Sequence, residues 1–423
     1  MLDIQFIRDN AERVKAAAAM KGIDVDVDRL IAVDDRRRAL IQAVERLKHE
    51  RNENSKRVRS LIGEAKAALI ARTRTIGEEI KALEAELDHV LAEYRALMLR
   101  VPSVPSSDTP VGTSDADNVE IRRVGEVPSF AFPPKNHIEL MTMHGMVDVE
   151  RGVKVAGSRS YYLIGDGVRL HHAVMQLALD VLERRGFTLM AVPVLVNGFA
   201  LEGTGYFPLG EEQTYHCERD DKYLIGTAEV SLAAYHYDEV LSEAELPKRY
   251  AGVSESFRRE VGSAGRDTFG LYRVHQFLKV EQVIIAPNDE DASRRLHDEL
   301  LANAEEILRL LELPYRVVQV CTGDMGQGQV RKHDLEAWMP SRGAYGETHS
   351  CSTFHDFQAR RLKLRYRKAD GTLAYCHTLN NTAVASPRIL IALLENHQQA
   401  DGAIRIPEAL RPYMGGRSYI GRA

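Results

Sequence analysis

Residues 257–281, FRREVGSAGRDTFGLYRVHQFLKVE, form the most informative stretch of this 423-residue chain. They look like two strands with many polar side chains, joined by a glycine-rich loop over 262–267 that suits a reversal. Alternation along the first arm puts Arg258 and Glu260 on one face of a predicted strand. The same period of two aligns a set on the return arm: Arg273, His275, Phe277, Lys279 and Glu281. The stretch predicts a hairpin with one polar, functional face.

Arg258 and Glu260 have side chains that suit a nucleotide. The planar guanidinium matches a phosphate or carboxylate, and the carboxylate accepts from an amine such as adenine N6. The alternative is an amphipathic hairpin whose charged face is merely solvated. The whole stretch resembles motif 2 of the class II aminoacyl-tRNA synthetases, and GRDTFGLYRVHQFLKVE is close to the seryl-tRNA synthetase form. This resemblance favours an adenylate-forming site.

Composition restricts the class of protein. With 44% apolar residues, the chain is long enough to bury a large core in two or three domains. A net charge of −5 argues against a uniformly basic nucleic-acid surface, so any such contact must be local. No apolar run approaches the roughly 20 residues of a membrane span, and the N-terminus MLDIQFIRDN is charged. We therefore expect a cytoplasmic protein without a membrane partner.

The cysteines and histidines give little support to a disulfide framework or a zinc site. The four cysteines form no CxxC pair, so we expect them to be reduced. A scattered set has zinc-ligand chemistry without the usual tight spacing: His349, Cys351, His355, Cys376 and His377. We therefore expect no zinc.

A long helical arm is predicted between about residues 27 and 100. Apolar residues between Ile76 and Leu97 follow an unbroken 4-3 spacing, and the same register runs from Leu40 to Leu61. A reversal at residues 63–66 would pair the two halves antiparallel into a coiled-coil rod about 50 Å long. The sequence VPSVPSSD at 101–108 ends the second helix and reads as a linker. We therefore predict an N-terminal domain over 1–105 and a catalytic domain over 106–423.

Basic side chains cluster near the tip of this arm. Four of them, called the basic tip residues below, are Lys56, Arg57, Arg59 and Arg72. From the residues alone, the arm could bind another protein or hold the phosphate backbone of a structured RNA. Seryl-tRNA synthetases have a long antiparallel arm here that grips their tRNA. The resemblance therefore implies tRNA-Ser as partner, contacted by the basic tip residues and by Arg266 of the motif 2 loop.

Two segments before motif 2 also match the family. A helix over residues 170–182 and the apolar stretch 187–196, interrupted by Pro193, resemble motif 1. Because proline is confined to sheet edges, this unit suits an interface, and the resemblance implies a homodimer. Thr227, Ala228 and Glu229 resemble the TxE loop that holds the serine ammonium in the family, although a Thr and a Glu this close also start helices.

The segments ETHSCS at 347–352 and DFQARR at 356–361 resemble two further family signatures. By that resemblance Glu347 and Ser350 would supply oxygen ligands for Mg²⁺ that bridges ATP phosphates. His349 occupies a variable place in the signature and is given no role. No GxxxxGK[ST] motif occurs, so a P-loop enzyme is not expected.

The segment HTLNNTAVASPR at 377–388 resembles motif 3, whose arginine clamps the ATP γ-phosphate. Ser386 is a natural N-cap and Pro387 suits the first helical position, so we expect Arg388 in the first turn of a helix. There the helix dipole favours an anion. The chain has Thr382 where many relatives have serine, which keeps the hydroxyl.

The resemblance as a whole implies an α+β fold: an antiparallel α-helical coiled-coil arm, then a class II catalytic domain with an antiparallel β-sheet flanked by helices. It implies a serine–tRNA ligase that uses ATP and L-serine. Arg258 and Arg388 would bind phosphates, with Phe277 stacked on adenine and Glu260 reading its amine. Glu281 and Thr382 would read the serine hydroxyl. Whether tRNA-Sec is also charged stays open, as do a carrier-protein ligase and a binding-only relative as rival functions.

Overall fold

The computed structural model describes residues 1–261 and 269–421. They fall into two compact units, one over residues 2–102 and one from residue 103 onward together with Met1. The predicted glycine loop, with Arg266, lies outside the described residues.

The first unit is helical. Asp3 and Asp26 cap the first and third helices, because their side chains accept hydrogen bonds from the backbone N–H groups of Gln5 and Arg29. The helices are α1 Ile4–Asp9, α2 Ala11–Met20, α3 Val27–Arg57 and α4 Gly63–Arg100.

Helices α3 and α4 form the predicted antiparallel arm. Members of the predicted seam are buried between them: Leu40, Val44, Leu47, Ile76 and Ile80. Ion pairs confirm the antiparallel direction, because residues successively further along α3 pair with residues successively earlier in α4: Arg29–Glu93, Arg36–Glu86 and Glu50–Arg72. At about 1.5 Å per residue, the 31 and 38 residues of the two helices reach about 45 to 57 Å.

The predicted reversal at residues 63–66 is only partly right. Helix α3 ends at Arg57, a 3₁₀ turn follows at Val58–Ser60, and α4 already begins at Gly63. Gly63 has the positive φ of 63° that a reversal needs. The next three residues are Glu, Ala and Lys, which are good helix formers and therefore continue α4.

The second unit contains a large, mostly antiparallel sheet. The described residues give an eight-stranded sheet in the order β1-β11-β12-β13-β16-β10-β9-β4, in which only β4 and β9 pair in parallel. Its strands are β1 Val119–Val124, β4 Thr188–Ala191, β9 Lys248–Phe257, β10 Gln276–Ala286, β11 Tyr315–Gln319, β12 Arg331–Met339, β13 Ala344–His355 and β16 His377–Ser386.

Short strands form small accessory sheets around it. They are β2 Val147–Asp148, β3 Tyr162–Leu163, β5 Leu195–Val196, β6 His216–Cys217, β7 Lys222–Leu224, β8 Val240–Ser242, β14 Arg365–Arg367, β15 Leu373–Tyr375, β17 Ile404–Arg405 and β18 Tyr419–Ile420. The helices of this unit are α5 His137–Met143, α6 Val149–Ala156, α7 Asp166–Arg184, α8 Gly198–Thr204, α9 Glu229–Ala234, α10 Glu290–Leu310, α11 Phe357–Leu362 and α12 Arg388–Asn396.

Helices α7, α10 and α12 pack against the sheet and form the main core with it. Apolar strand residues join this core, among them Val280 on β10, Cys351 on β13 and Ala383 on β16. Because side chains alternate along a strand, a neighbour of each of these points to the opposite face: Lys279, Ser350 and Thr382. The predicted α+β architecture, with a sheet flanked by helices, is confirmed.

The predicted strand character of Arg258 and Glu260 is wrong. Strand β9 ends at Phe257, and Glu260 has a positive φ of 54°. The cause is a change of hydrogen-bond partner. Arg258 N still donates to His275 O on the return arm, but Arg259 N donates to Gln213 O, so the chain leaves the β9–β10 ladder there. On the return arm Arg273 and His275 likewise precede β10.

Of the two proline positions, Pro387 differs in detail from the expectation and Pro193 agrees with it. Pro387, not Ser386, is the N-cap of α12, and Arg388 is its first residue. Ser386 instead ends β16, where its hydroxyl bonds with His171 Nδ1 at 2.7 Å. The stretch around Pro193 is divided into β4 and β5, and β4 is an edge strand of the large sheet, as the proline predicted.

Candidate active site

Most of the residues predicted to bind ATP, serine or Mg²⁺ come together in one cleft of about 400 Å³ on the sheet. Its floor is formed by side chains of β10, β13 and β16, on the face opposite the helical core. The predicted residues that line it are Glu229, Arg258, Glu260, Phe277, Glu281, Glu347, Ser350, Thr382 and Arg388. A cleft of this size holds a small-molecule ligand.

Arg388 is held at one side of the cleft by backbone carbonyls. Its Nε donates to Tyr272 O at 3.0 Å and its Nη1 to Glu347 O at 2.9 Å. The guanidinium also lies over the Tyr272 ring, 4.2 Å from its centroid. These contacts fix a cation at the start of α12, where the helix dipole also favours an anion.

Arg258 and Phe277 are in direct contact. The Arg258 guanidinium carbon lies 5.2 Å from the centroid of the Phe277 ring, and Arg258 Nε donates to Gly226 O at 3.4 Å. Glu260 is bonded to Arg273 Nη1 at 3.4 Å. The aromatic face, the cation and the carboxylate predicted for a nucleotide are therefore neighbours, although neither charged residue lies in a strand.

Glu347 and Ser350 provide oxygen atoms that fit a hard cation. Partial desolvation in the cleft by itself raises the pKa of Glu347, but the nearby charges of Arg388 and Lys332 outweigh it and leave the pKa below its ordinary value. Its side chain is 47% exposed, so the carboxylate is both anionic and accessible. Ser350 faces Asp334 across the β12–β13 ladder.

Asp334 adds a second carboxylate behind this pair. It is buried, bonded to Lys332 at 3.2 Å, and its Oδ1 is buried without a hydrogen-bond partner among the described residues. Burial raises the pKa of Asp334 above its ordinary range. Glu347, Ser350 and this carboxylate fit Mg²⁺, which is usually held by one or two carboxylates plus substrate phosphates.

A second group of polar side chains lies where β10 meets β16. Thr382 Oγ1 donates to Glu281 Oε2 at 3.3 Å, and Lys279 Nζ bonds to the same oxygen at 2.6 Å. A bulge between Val280 and Glu281 sets Glu281 opposite Thr382 in the ladder. The buried cluster therefore presents a carboxylate and a hydroxyl side by side.

Glu229 is the other buried carboxylate of the cleft. Tyr206 Oη donates to its Oε2 at 2.9 Å, and Gln358 Nε2 donates to its Oε1 at 2.7 Å. Burial and the charge of Glu281 raise the pKa of Glu229, and these two donors and Lys279 oppose the rise. The net result is a pKa of about 7. Such a site would bind a cation and be stabilised by it.

Helix α9, which begins with Glu229, lies close to β9 because residue 252 is glycine. A Cβ at Gly252 would lie 2.9 Å from Leu232 Cδ1 and 3.1 Å from Ala228 Cβ. Gly252 is also the ladder partner of Glu281. This close approach brings the two buried carboxylates of the cleft, Glu229 and Glu281, near each other.

Thr227 and Ala228 are not among the side chains that line the cleft. Both are buried, and Thr227 Oγ1 accepts a hydrogen bond from Glu229 N at 3.3 Å. Ala228 is the N-cap of α9, and Thr227, which precedes it, contacts the Glu229 backbone through its hydroxyl.

Four residues of the site were missed or given no role from the sequence: Tyr206, Lys279, Asp334 and Gln358. Lys279 shares the period-two face of the return arm, and Gln358 belongs to the DFQARR signature, so both carried a signal. Tyr206 and Asp334 carried none, because only the folded chain brings them to the site.

The basic tip residues differ in their surroundings. Lys56 pairs with Glu53 at 2.7 Å, and Arg72 pairs with Glu50 and Glu79. Arg57 and Arg59 are exposed, and no ion pair with another described residue is found for either. Of the four basic tip residues, these two are therefore the most available to a phosphate backbone.

Two of the histidines considered for zinc, His349 and His377, have other partners, and His377 Nδ1 bonds with Ser293 Oγ at 2.8 Å. His349 is buried, bonded to Ala383 O and Thr348 Oγ1, and burial lowers its pKa to about 4. Within residues 1–261 and 269–421, no three His, Cys, Asp or Glu side chains are arranged to hold a metal ion. In the same ranges, no helix combines the length and the apolar character needed to cross a membrane.

Comparison with known proteins agrees with this geometry. Residues 1–105 match the model of the seryl-tRNA synthetase N-terminal domain, and residues 214–397 match the model of the tRNA synthetase class II core domain (G, H, P, S and T). The serine–tRNA ligase of Deinococcus radiodurans is 49% identical over 422 residues, which cover 100% of this chain and 99% of the relative.

Solved structures show the same similarity. Seryl-tRNA synthetase from Pyrococcus horikoshii, complexed with ATP, matches with a TM-score of 0.92 and 39% identity over 99% of both chains. Cytoplasmic serine–tRNA ligase from Naegleria fowleri, in complex with AMP, matches with a TM-score of 0.87 and 33% identity over 99% of this chain and 98% of that one. The resemblance inferred from the motifs is thereby confirmed, and the chain belongs to the seryl-tRNA synthetase family.

Proposed function

We propose that the chain activates L-serine with ATP, forming seryl-adenylate and pyrophosphate, and then transfers the seryl group to the terminal adenosine of tRNA-Ser. One observation carries this proposal above the others. A single cleft holds two arginines suited to phosphates together with a buried carboxylate, Glu229, and a carboxylate–hydroxyl pair, Glu281 and Thr382. The last three match the ammonium and the hydroxyl of serine.

The arginines would act by stabilising charge. Arg258 would contact the α-phosphate and the serine carboxylate, and Arg388 the γ-phosphate. The serine carboxylate attacks the α-phosphorus and the bond to the β-phosphate oxygen breaks, so no protein nucleophile is required. Fixed cations aimed at developing negative charge are the largest contribution in reactions of this kind. Phe277 would stack on adenine, while Glu260 accepts a hydrogen bond from the adenine amine.

Glu347 and Ser350 would hold Mg²⁺ at the ATP phosphates, and Asp334 would support the pair from behind. When bound, the ion supplies positive charge that neutralises the pyrophosphate leaving group. The accessible, anionic carboxylate of Glu347 is the feature of the chain that supports this role.

Serine would be selected by hydrogen bonding. Glu281 and Thr382 would bond the hydroxyl, and Glu229 the ammonium, with Thr227 and Ala228 shaping the start of α9 around it. A site that bonds a substrate hydroxyl rejects the analogue without it, because the buried polar groups are then left unpaired. Alanine should therefore be a poor substrate.

The helical arm would bind the tRNA through phosphate contacts of the basic tip residues, and Arg266 would contact it from the motif 2 loop. We place the boundary of this tRNA-binding domain at residue 105. A homodimer is supported by the exposed apolar side chains near the edge strand, where Leu189 is 38% and Leu195 is 45% exposed. Charging of tRNA would take place in the cytoplasm.

The proposal is tested by ATP–pyrophosphate exchange with each of the twenty amino acids, followed by charging of tRNA-Ser. We expect exchange with serine only, and transfer to tRNA-Ser. Exchange without any charging, accompanied by loading of a carrier protein, would favour a carrier-protein ligase instead. Absence of exchange would favour the binding-only function. Parallel charging of tRNA-Sec decides whether that tRNA is also a substrate.

A further inference from the structure

Gln358, on helix α11, has no role in the proposed reaction, but it is hydrogen-bonded to Glu229 of the cleft. Its side chain is 1% exposed. Its carboxamide nitrogen donates to Glu229 Oε1 at 2.7 Å and to Thr204 O at 3.1 Å. Its carboxamide oxygen accepts from Thr378 Oγ1 at 2.6 Å. Both amide hydrogens and the amide oxygen are therefore used.

These partners determine the orientation of the amide. A rotation by 180° would place the carboxamide oxygen against two acceptors, the Glu229 carboxylate and the Thr204 carbonyl, and would face the nitrogen toward a hydroxyl that now donates. The observed orientation is the one in which every group is paired. Gln358 thus presents an N–H to Glu229 that cannot turn away without loss of three hydrogen bonds.

We propose that Gln358 is a positioning residue for the substrate ammonium, because it fixes the orientation of the Glu229 carboxylate that receives it. This inference rests on the proposed function and extends it to a residue that does not touch the substrate. Gln358 holds Oε1 and Tyr206 holds Oε2, so each oxygen keeps lone pairs for a third donor.

Helix α11 also bonds to the chain segment that carries Tyr206, the other donor to Glu229. Arg361, one turn after Gln358, donates from Nη1 to Glu202 O at 2.8 Å and to Phe207 O at 3.0 Å. These two carbonyls flank Tyr206 in the chain, and Gln358 itself bonds to Thr204 in the same segment. Helix α11 therefore positions both donors to Glu229: it carries Gln358 and it bonds to the segment around Tyr206.

The electrostatics of Glu229 explain why a donor is needed. The carboxylate is buried, with Glu281, Lys279 and Tyr206 as the neighbouring titratable groups. Burial and Glu281 disfavour its charged form, whereas hydrogen bonds favour it. Removal of the Gln358 donor leaves a less ionised and less oriented carboxylate, which binds a cation more weakly.

The test compares Gln358→Ala and the volume-conserving Gln358→Met with the wild-type enzyme in serine-dependent pyrophosphate exchange. We expect the KM for serine to rise about tenfold or more, as for loss of a hydrogen bond to a charged group, while the KM for ATP changes less than about twofold. Raising the pH should recover part of the loss, because it restores the ionised carboxylate.

A pair of inhibitors separates positioning from general loosening of the site. One is a non-hydrolysable sulfamoyl analogue of seryl-adenylate, and the other is the same molecule with hydrogen in place of the amino group. The variants should weaken the amine-bearing analogue about tenfold and leave the other unchanged. Equal weakening of both, or an unchanged KM for serine, would overturn the inference.

Gln398→Met is the matched control. Gln398 is 3% exposed and has the same pattern of bonds, with Nε2 donating to Lys135 O and Glu395 O and Oε1 accepting from Lys135 N. We expect it to lose thermal stability without a change in the KM for serine; a comparable rise would count against the inference. Failure of the proposed function is distinguishable, since the wild-type enzyme itself would then show no exchange with serine.

Discussion

Replacement of Thr382 by valine tests how the cleft recognises serine. Valine keeps nearly the same shape but removes the hydroxyl that donates to Glu281 Oε2 at 3.3 Å. Lys279 remains bonded to the same oxygen at 2.6 Å, so Glu281 keeps its counter-ion in the variant. The substitution therefore removes one hydrogen-bonding group of the site and leaves the carboxylate paired.

The expected magnitude follows from the type of bond that the hydroxyl would make to serine. A hydrogen bond to a charged group contributes about 1.5 to 3 kcal/mol, and about 1.4 kcal/mol corresponds to a tenfold change in rate. The bond that Thr382 would make to the serine hydroxyl joins two neutral groups, so the lower end applies. We expect kcat/KM for serine to fall about tenfold. Alanine has no hydroxyl to lose, so its kcat/KM should hardly change.

The assay is pyrophosphate exchange with serine and with alanine, on Thr382→Val and on a matched control. Thr353→Val is suitable, because Thr353 is equally buried and its Oγ1 bonds with His297 Nδ1 at 2.9 Å, outside the cleft. The control should unfold at a lower temperature yet keep the ratio of serine to alanine. If that ratio is also unchanged in Thr382→Val, the hydroxyl does not contribute to specificity and the reasoning is wrong.

Three further predictions follow from the cleft and the arm. Arg388→Ala and Arg258→Ala should each lower pyrophosphate exchange about 10²-fold, as for loss of a transition-state donor, and near-wild-type exchange in either would contradict its role. Deletion of residues 36–96 as paired helical segments should leave pyrophosphate exchange intact and abolish charging of tRNA, whereas equal losses of both would show that the arm supports the catalytic fold. Neutralising the basic tip residues should flatten the salt dependence of tRNA affinity. Because burial and Glu281 raise the pKa of Glu229 to about 7, kcat/KM for serine should fall as the pH drops below about 7 and the carboxylate is protonated, whereas a flat profile from about pH 6 to 8 would exclude that group.

Much of the fold could be predicted because its signals are local. The 4-3 spacing from Leu40 and from Ile76 predicted the seam of the arm, and five of its apolar members are buried: Leu40, Val44, Leu47, Ile76 and Ile80. Pro193 predicted an edge position, and β4 ends just before it at the edge of the sheet. In both cases the signal is local. The 4-3 spacing places apolar side chains on one face of a helix, and a proline lacks the N–H that a central strand needs, whatever else surrounds the segment.

The same kind of local reasoning failed where distant partners compete. Arg258 and Glu260 alternate like strand residues, but the bond from Arg259 N to Gln213 O removes the chain from the ladder. Ser386 is a good N-cap by type, yet its hydroxyl is engaged by His171 and its backbone completes β16. A residue's own preference is weak compared with a hydrogen bond that only the folded chain offers.

The sequence by itself determined the helical arm, the alternation of apolar and polar side chains on the strands, and which residue types are available to bind phosphate, ammonium and hydroxyl. Only the tertiary structure decided how they meet. The bulge between Val280 and Glu281 sets Glu281 opposite Thr382, and Gly252 lets α9 approach β9, the strand beside Glu281. Gln358 reaches Glu229 across 129 positions of sequence. The physical reason is that buried polar groups must find partners, and the partners of a buried carboxylate are selected by packing in three dimensions rather than by neighbours along the chain.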